Sequence, residues 1–209
     1  LEIGVVLLAN LGFAALTQTD VIYSNRSFPS DVAASFAATV MLAKALTYIP
    51  TALTIVLFPR VTQLAQSHHS GPELNRLVLR SMAVTVVVLL AGVAVLGQFE
   101  SLIHSIVFAG KFKYFEEHLP LAAWVYLPSA LALPLLQILI ALRSRLVWLA
   151  PCVSALGLVI ILWMRPLDAR GLLLAIGATS TVSLVGLAAA LWARLSVSRS
   201  AAEDEFQSA

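Results

Sequence analysis

A chain of 209 residues with 60% hydrophobic and only 11% charged side chains cannot cover a folded surface with polar groups in water. Soluble domains carry about 25% charged residues, so this composition, with a mean hydropathy of +0.92, excludes an ordinary soluble protein. The formal net charge of +2 says little by itself, and we expect no nucleic-acid partner. We therefore predict an all-α, polytopic membrane protein.

Six apolar stretches are long enough, or nearly so, to cross a bilayer as helices, which takes about 20 residues. They do not alternate between apolar and polar residues, so they are typical of membrane helices. We expect six transmembrane helices within residues 1–195 and a disordered cytoplasmic tail over residues 196–209. In chain order the predicted spans are 3–23, 32–58, 81–99, 119–142, 146–164 and 171–193.

The basic residues indicate how these spans are oriented. With six spans, the thirteen lysines and arginines divide between two faces, apart from Lys44 inside the second span. Seven lie on one face and five on the other, and an excess of Lys and Arg marks the cytoplasmic side. We therefore expect both ends of the chain to be cytoplasmic, with the first span running outward. The seven are Arg60, Arg76, Arg80, Arg143, Arg145, Arg194 and Arg199.

Residues 100–118, between the third and fourth spans, mix aromatic and charged side chains. This composition favours an amphipathic segment that lies at the outer membrane interface. No polar stretch of the chain is long enough to bury a core of its own. Any binding therefore takes place within the helices or at their ends.

Prolines occur in two of the spans. Pro50 and Pro59 fall within and at the end of the second span, and Pro128 and Pro134 fall in the fourth. A proline removes one intrahelical hydrogen bond, and membrane helices tolerate this loss where neighbours compensate for it. We predict hinges at Pro50 and Pro134.

The second span carries one charge, Lys44, near its middle. A lysine at the centre of a membrane helix costs about 2.5 to 3.5 kcal/mol on insertion scales, a cost that its apolar neighbours can offset. Once inserted, the ammonium needs water, an anion or carbonyl oxygens. The sequence therefore predicts that Lys44 faces a hydrated cavity.

Asp20 is the nearest candidate carboxylate, and it follows Gln18 in a polar stretch at the outer end of the first span. At 1.5 Å per residue, Lys44 lies about 18 Å from the outer end of its span and Asp20 about 5 Å from the end of its own. Three arrangements remain open: a direct salt bridge, a shared wet cavity without direct contact, and separate positions with Lys44 against backbone carbonyls. The first two make both residues candidate binding residues.

Two further polar residues are candidates for substrate binding. Arg60 follows Phe58-Pro59 at the cytoplasmic end of the second span. Two roles are open for it: an anchor at the membrane surface, as the positive-inside rule predicts, or a contact to phosphate. Gln137 in the fourth span is available for a hydrogen bond to another helix or to a sugar.

We find no pattern that indicates an enzyme. The chain has no glycine-rich phosphate loop and no Gly-x-Ser-x-Gly elbow. The lone Cys152 excludes a disulfide within this sequence and is expected to be an apolar filler. We predict no catalytic residues, no cofactor and no metal site.

A resemblance covers essentially the whole chain. Residues 19–61 resemble the second half of the polysaccharide and lipid-linked oligosaccharide flippases, in the multidrug/oligosaccharidyl-lipid/polysaccharide exporter superfamily. The segments 108–124 ("FAGKFKYFEEHLPLAAW") and 141–145 ("ALRSR") are similar to later motifs of that family. The chain departs from the pattern at residues 34–36, where the family usually has glycine, a hydrophobic residue and tyrosine. The motif positions in the first segment are Asp20-Val21-Ile22, residues 33–38, Lys44, Pro50 and Leu57-Phe58-Pro59-Arg60.

The resemblance implies one lobe of a two-lobed exporter in the bacterial inner membrane, working by alternating access with an N-terminal lobe that precedes this chain. Its substrate would be a polyprenyl-diphosphate-linked glycan, moved from the cytoplasmic to the outer leaflet. Lys44 would then attract the diphosphate or an acidic sugar, and Pro50 would let the second span bend.

Two main alternatives remain open. A cation-coupled antiporter of drugs or small metabolites, from the same superfamily, would use Asp20 as the proton- or cation-linked carboxylate. A non-transporting membrane scaffold would use these helices only for packing among themselves and with membrane lipid.

Overall fold

The computed structural model describes residues 3–66, 71–109, 111–112 and 115–207, and these residues form helices joined by short connections. Each helix follows from an apolar run of the sequence, because a chain in lipid must satisfy its backbone polar groups internally. The helices are α1 (Ile3–Ser27), α2 (Ser30–Ala45), α3 (Tyr48–Gln66), α4 (Gly71–Gln98), α5 (Glu100–Phe108), α6 (Phe115–Ala141), α7 (Leu149–Met164) and α8 (Ala169–Gln207).

Within the described ranges, five stretches of helix are long and apolar enough to cross a membrane. They confirm an all-helical, multi-pass membrane protein. The fifth predicted span corresponds to α7, which has 16 residues. A helix of that length is about 24 Å long, whereas the hydrocarbon core is about 30 Å thick. Of the six predicted spans, five are therefore confirmed as helical stretches long and apolar enough to cross a membrane.

The helix α6 lies at the centre of the bundle. In its 18-residue apolar segment, 61% of the residues are buried. The corresponding segments of the other four spanning stretches are 22% to 39% buried. It packs against α8, α2, α4 and α3, while α7 packs between α1 and α8. Side chains of α6 are therefore in contact with most of the surrounding helices.

Small residues hold α7 against its two neighbours. A methyl group on Gly12 of α1 would come within 2.7 Å of the Cys152 sulfur, and one on Gly186 of α8 within 2.8 Å of the Ala150 side chain. Such close approach of backbones is a usual way for membrane helices to pack. Cys152 is a half-buried neighbour of α1, and its thiol donates a hydrogen bond to the Leu8 carbonyl.

The second predicted span is divided in two. The helix α2 ends at Ala45, residues 46–47 form a turn, and α3 begins at Tyr48. Pro50 has no amide hydrogen for the Leu46 carbonyl four residues earlier, so a continuous helix would leave that carbonyl without its partner. The Thr47 amide and hydroxyl both donate to the Lys44 carbonyl, at 2.9 and 2.7 Å. The break therefore falls directly after Lys44.

The fourth predicted span behaves differently. Pro120, Pro128 and Pro134 all lie inside α6, and the helix continues through each of them. Of the two predicted hinges, only Pro50 therefore adjoins a break in its helix.

Two other predicted segments are only partly described. In the predicted interfacial segment, residues 100–108 form α5, while residues 110 and 113–114 lie outside the described residues. The helix α8 reaches Gln207, through most of the segment for which the sequence predicts a disordered tail.

Candidate functional site: a buried ion pair and a neighbouring cavity

Asp20 lies on the face of α1 that is buried against α2 and α6, and its side chain has no exposed surface. The Lys44 ammonium lies 2.8 Å from Oδ2 and 2.9 Å from Oδ1 of this carboxylate. The Tyr126 hydroxyl donates a hydrogen bond to Oδ2, and the Val21 amide donates to Oδ1 at 2.7 Å. Both oxygens are therefore paired with donors from the protein itself.

Lys44 is held by more than its ion pair. It lies in the last turn of α2, where the negative end of the helix dipole favours a cation. Its ammonium is 5.5 Å from the centre of the Tyr126 ring, within the range of a cation–π interaction. Only 17% of the side chain is exposed. A positive charge in an apolar span is thus stabilised by a carboxylate, a helix end and an aromatic ring.

The direct salt bridge is therefore the arrangement that the structure contains. It forms because α1 continues to Ser27, beyond the predicted end of the first span. Asp20 then lies about 10 Å inward from the end of its helix rather than about 5 Å, while Lys44 lies about 21 Å inward because α2 begins at Ser30. The flexible four-carbon stem of Lys44 shortens the remaining distance.

Tyr126 is a member of this cluster that the sequence analysis missed. It comes from α6, has no exposed surface, and connects the central helix to both α1 and α2. A tyrosine hydroxyl inside an apolar span needs a hydrogen-bond partner, because lipid supplies none. The sequence could have indicated Tyr126 as a polar contact on this ground. The three residues Asp20, Lys44 and Tyr126 are called the ion-pair cluster below.

Gln18 and Arg60 do not join the ion-pair cluster. Gln18 is exposed and lies two residues from Asp20, about 200° around α1. Arg60 is exposed on α3, fifteen residues beyond the end of α2. The predicted binding residues therefore do not form a single group.

Gln137 lies at a second place, a cavity of about 420 Å³ between α3 and α6. Its α3 wall follows directly after the break in the second span. We call it the α3–α6 cavity; it is lined by Thr51, Thr54, Ile55, Phe58, Pro59, Leu133 and Gln137. Neither Lys44 nor Arg60 is among these residues, and the part of the cavity wall that the structure describes carries no ionisable side chain.

Pro134, the second predicted hinge, is buried on α6 and borders a smaller void next to this cavity. Among the described residues, no three His, Cys, Asp or Glu side chains lie close enough together to hold a metal ion. The chemistry available at the two places is therefore ion pairing at the cluster and neutral hydrogen bonding with apolar contact in the cavity.

In comparisons with known proteins, no family model, curated protein or solved structure matches this chain. The functional argument therefore rests on the residues and their geometry.

Proposed function

We propose that this protein is an exporter that moves a lipid-linked oligosaccharide or polysaccharide precursor across the cytoplasmic membrane by alternating access, and that this chain is one of its lobes. The observation that supports the proposal is the buried Asp20–Lys44 pair beside a break in a membrane span. Ionisable residues inside membrane helices are costly and mark substrate or ion pathways. Both ends of the chain are cytoplasmic in this proposal.

The Asp20–Lys44 pair stabilises a cation inside an apolar span until an anionic substrate binds. Without substrate, Asp20 neutralises Lys44, so this pair places no net charge in the bilayer. A diphosphate has more negative charge than one carboxylate and would compete with Asp20 for the ammonium. The turn at residues 46–47 would then let α2 and Lys44 move relative to α3.

The test is complementation by the full-length gene in a flippase-deficient strain, with surface polysaccharide as the readout. We expect wild type and Lys111→Ala, which changes an exposed lysine outside the spans, to restore the polysaccharide. Lys44→Arg should restore part of it and Lys44→Ala none. The amount of each protein in the membrane is measured in parallel, because Lys44→Ala also leaves Asp20 unpaired.

A double variant separates loss of transport from loss of folding. Asp20→Leu with Lys44→Met removes both charges together and replaces the pair with apolar side chains, which is tolerated better than one unpaired buried charge. If this variant accumulates in the membrane without restoring polysaccharide, the proposal stands. If it restores polysaccharide as well as wild type does, the cluster has a packing role only and the substrate site is elsewhere.

The complete burial of Asp20 favours a second candidate, the cation-coupled antiporter. Protonation of this carboxylate would free Lys44 and Tyr126, and so couple proton uptake to movement of the helices. Drug- or metabolite-driven proton movement in vesicles containing the full-length protein, lost in Asp20→Asn, is expected for the antiporter. A non-transporting scaffold predicts neither this proton movement nor any effect of the charge variants on surface polysaccharide.

A further inference from the structure

The α3–α6 cavity has a size and position suited to a ligand. Its volume of about 420 Å³ falls in the usual range of small-molecule sites, about 300 to 1,000 Å³. It lies between two segments that contribute to membrane spans. A molecule that reaches it from the bilayer therefore needs an apolar part.

The polar groups of the lining restrict the ligand further. The Thr51 hydroxyl donates to the Thr47 carbonyl and the Thr54 hydroxyl to the Pro50 carbonyl, both at 2.7 Å. These two hydroxyl protons are therefore engaged by carbonyls of α3 and of the turn that precedes it. The Gln137 carboxamide, in contrast, makes no hydrogen bond to any residue that the structure describes. Its N–H and C=O groups remain available at the cavity wall.

An anionic ligand does not fit this lining. The lining residues that the structure describes supply no cation, and Lys44 is already paired with Asp20. A phosphate or carboxylate placed there would lose its hydration without gaining a counterion, which is costly in an apolar environment. A neutral group with one or two hydrogen-bonding atoms can instead be matched by the Gln137 amide.

We infer that the α3–α6 cavity binds a neutral amphiphile, a molecule with an apolar chain or ring system and one uncharged hydrogen-bonding group such as a hydroxyl, ester or amide. Thr51, Thr54, Ile55 and Phe58 contact its apolar part, and Gln137 binds its polar group. The site uses none of the residues of the ion-pair cluster. It therefore does not depend on the proposed export function.

The inference is tested by photolabelling the purified full-length protein in lipid nanodiscs with a diazirine analogue of decanol. We expect saturable labelling of peptides that contain residues 51–59 and 133–137. Excess decanol should compete for this labelling, whereas decane and decyl phosphate should compete weakly. Labelling spread evenly over all spans, or stronger competition by decyl phosphate than by decanol, would overturn the inference.

Three variants test the named residues. Thr54→Phe and Leu133→Phe fill the cavity from opposite walls, and each should reduce labelling of these peptides at least fivefold. Gln137→Leu keeps the side-chain size and removes the amide, so decanol should compete about three- to tenfold more weakly, the usual effect of losing one hydrogen bond. Val182→Phe, on the exposed face of α8, is the matched control and should leave labelling unchanged.

The Gln137→Leu result separates the inferred ligand from a plain lipid chain. If decanol competes equally well with wild type and with this variant, the cavity accepts hydrocarbon without recognising a polar group, and the inference is wrong. Size-exclusion profiles and melting temperatures of all variants are measured first. If both cavity-filling variants fail to fold, Gln137→Leu alone still tests the inference, because it adds no bulk.

Discussion

The ion-pair cluster and the α3–α6 cavity lie on either side of one helix break and satisfy their polar groups in opposite ways. In the cluster, both Asp20 oxygens accept hydrogen bonds from the protein, and the carboxylate has no exposed surface. In the cavity, the two threonine hydroxyls donate to backbone carbonyls four residues earlier, and the Gln137 amide has no partner among the described residues. The cluster is therefore complete without a ligand, whereas the cavity is not.

This difference separates stability from binding. Removing one partner of a paired buried charge is strongly destabilising, because it leaves the other charge uncompensated. An unpaired, half-buried amide contributes little to folding and is free to contribute to recognition. We therefore expect substitutions in the cluster to act mainly on stability and substitutions in the cavity mainly on ligand binding, unless a substrate opens the ion pair.

The largest expected effect comes from removing one charge of the cluster. Asp20→Leu leaves Lys44 without its counterion and Tyr126 without its acceptor, and breaking a buried pair in this way costs about 3 to 5 kcal/mol. Unfolding of the purified protein in mixed micelles, titrated with a denaturing detergent, measures the loss. A change below about 1 kcal/mol would show that Lys44 reaches water easily and that the cluster is not closed.

Most residues of this cluster could be predicted from the sequence, but their geometry could not. The charge of Lys44 in an apolar run demands a partner, and Asp20 is the nearest carboxylate. The length of α1 beyond Tyr23 decides how deep Asp20 lies, and apolar composition alone places the end of that helix too early. Tyr126 was missed because an aromatic residue in a membrane span is usually a packing residue.

The fold shows the same division between local and tertiary information. Apolar length predicts which segments enter the membrane, but it does not reveal that α7 has only 16 residues or that the second span divides after Lys44. The cavity depends on how side chains of α3 meet those of α6, about eighty residues later. Gln137 was recognisable as a candidate, whereas the uncharged lining around it was not.

Tyr126→Phe tests whether the cluster depends on its hydroxyl. The ring remains over Lys44, while Asp20 loses one of its donors, so we expect a loss of about 1.5 to 3 kcal/mol, typical of a hydrogen bond to a charged group. The same unfolding titration measures it. Stability equal to wild type would mean that the remaining donors, Lys44 and the Val21 amide, satisfy the carboxylate.

Removing both charges together should cost less than removing one. The variant with Asp20→Leu and Lys44→Met replaces the pair with apolar side chains, an exchange that is often neutral or stabilising. The Tyr126 hydroxyl is still left without its acceptor, at a cost of about 1 to 3 kcal/mol. We therefore expect the double variant to be more stable than Asp20→Leu in the unfolding titration. If the two variants are equally unstable, an unpaired Lys44 costs no more than methionine at this position, and its ammonium reaches water without Asp20.

The smallest expected effect on stability comes from the cavity. Gln137 lies on α6 as Tyr126 does, but its amide makes no hydrogen bond to the described residues, so Gln137→Leu removes no intramolecular partner. We expect a change within about 0.5 kcal/mol, the range of substitutions that break no specific contact, against the much larger loss for Tyr126→Phe. The two variants are compared in one unfolding titration in the absence of added amphiphile. At the same saturating concentration of decanol, wild type should gain stability and Gln137→Leu should gain less, because a ligand with a lower Kd stabilises the folded state more. Equal losses for the two variants without ligand would mean that Gln137 is a structural residue, and the contrast between a closed cluster and an open cavity would then fail.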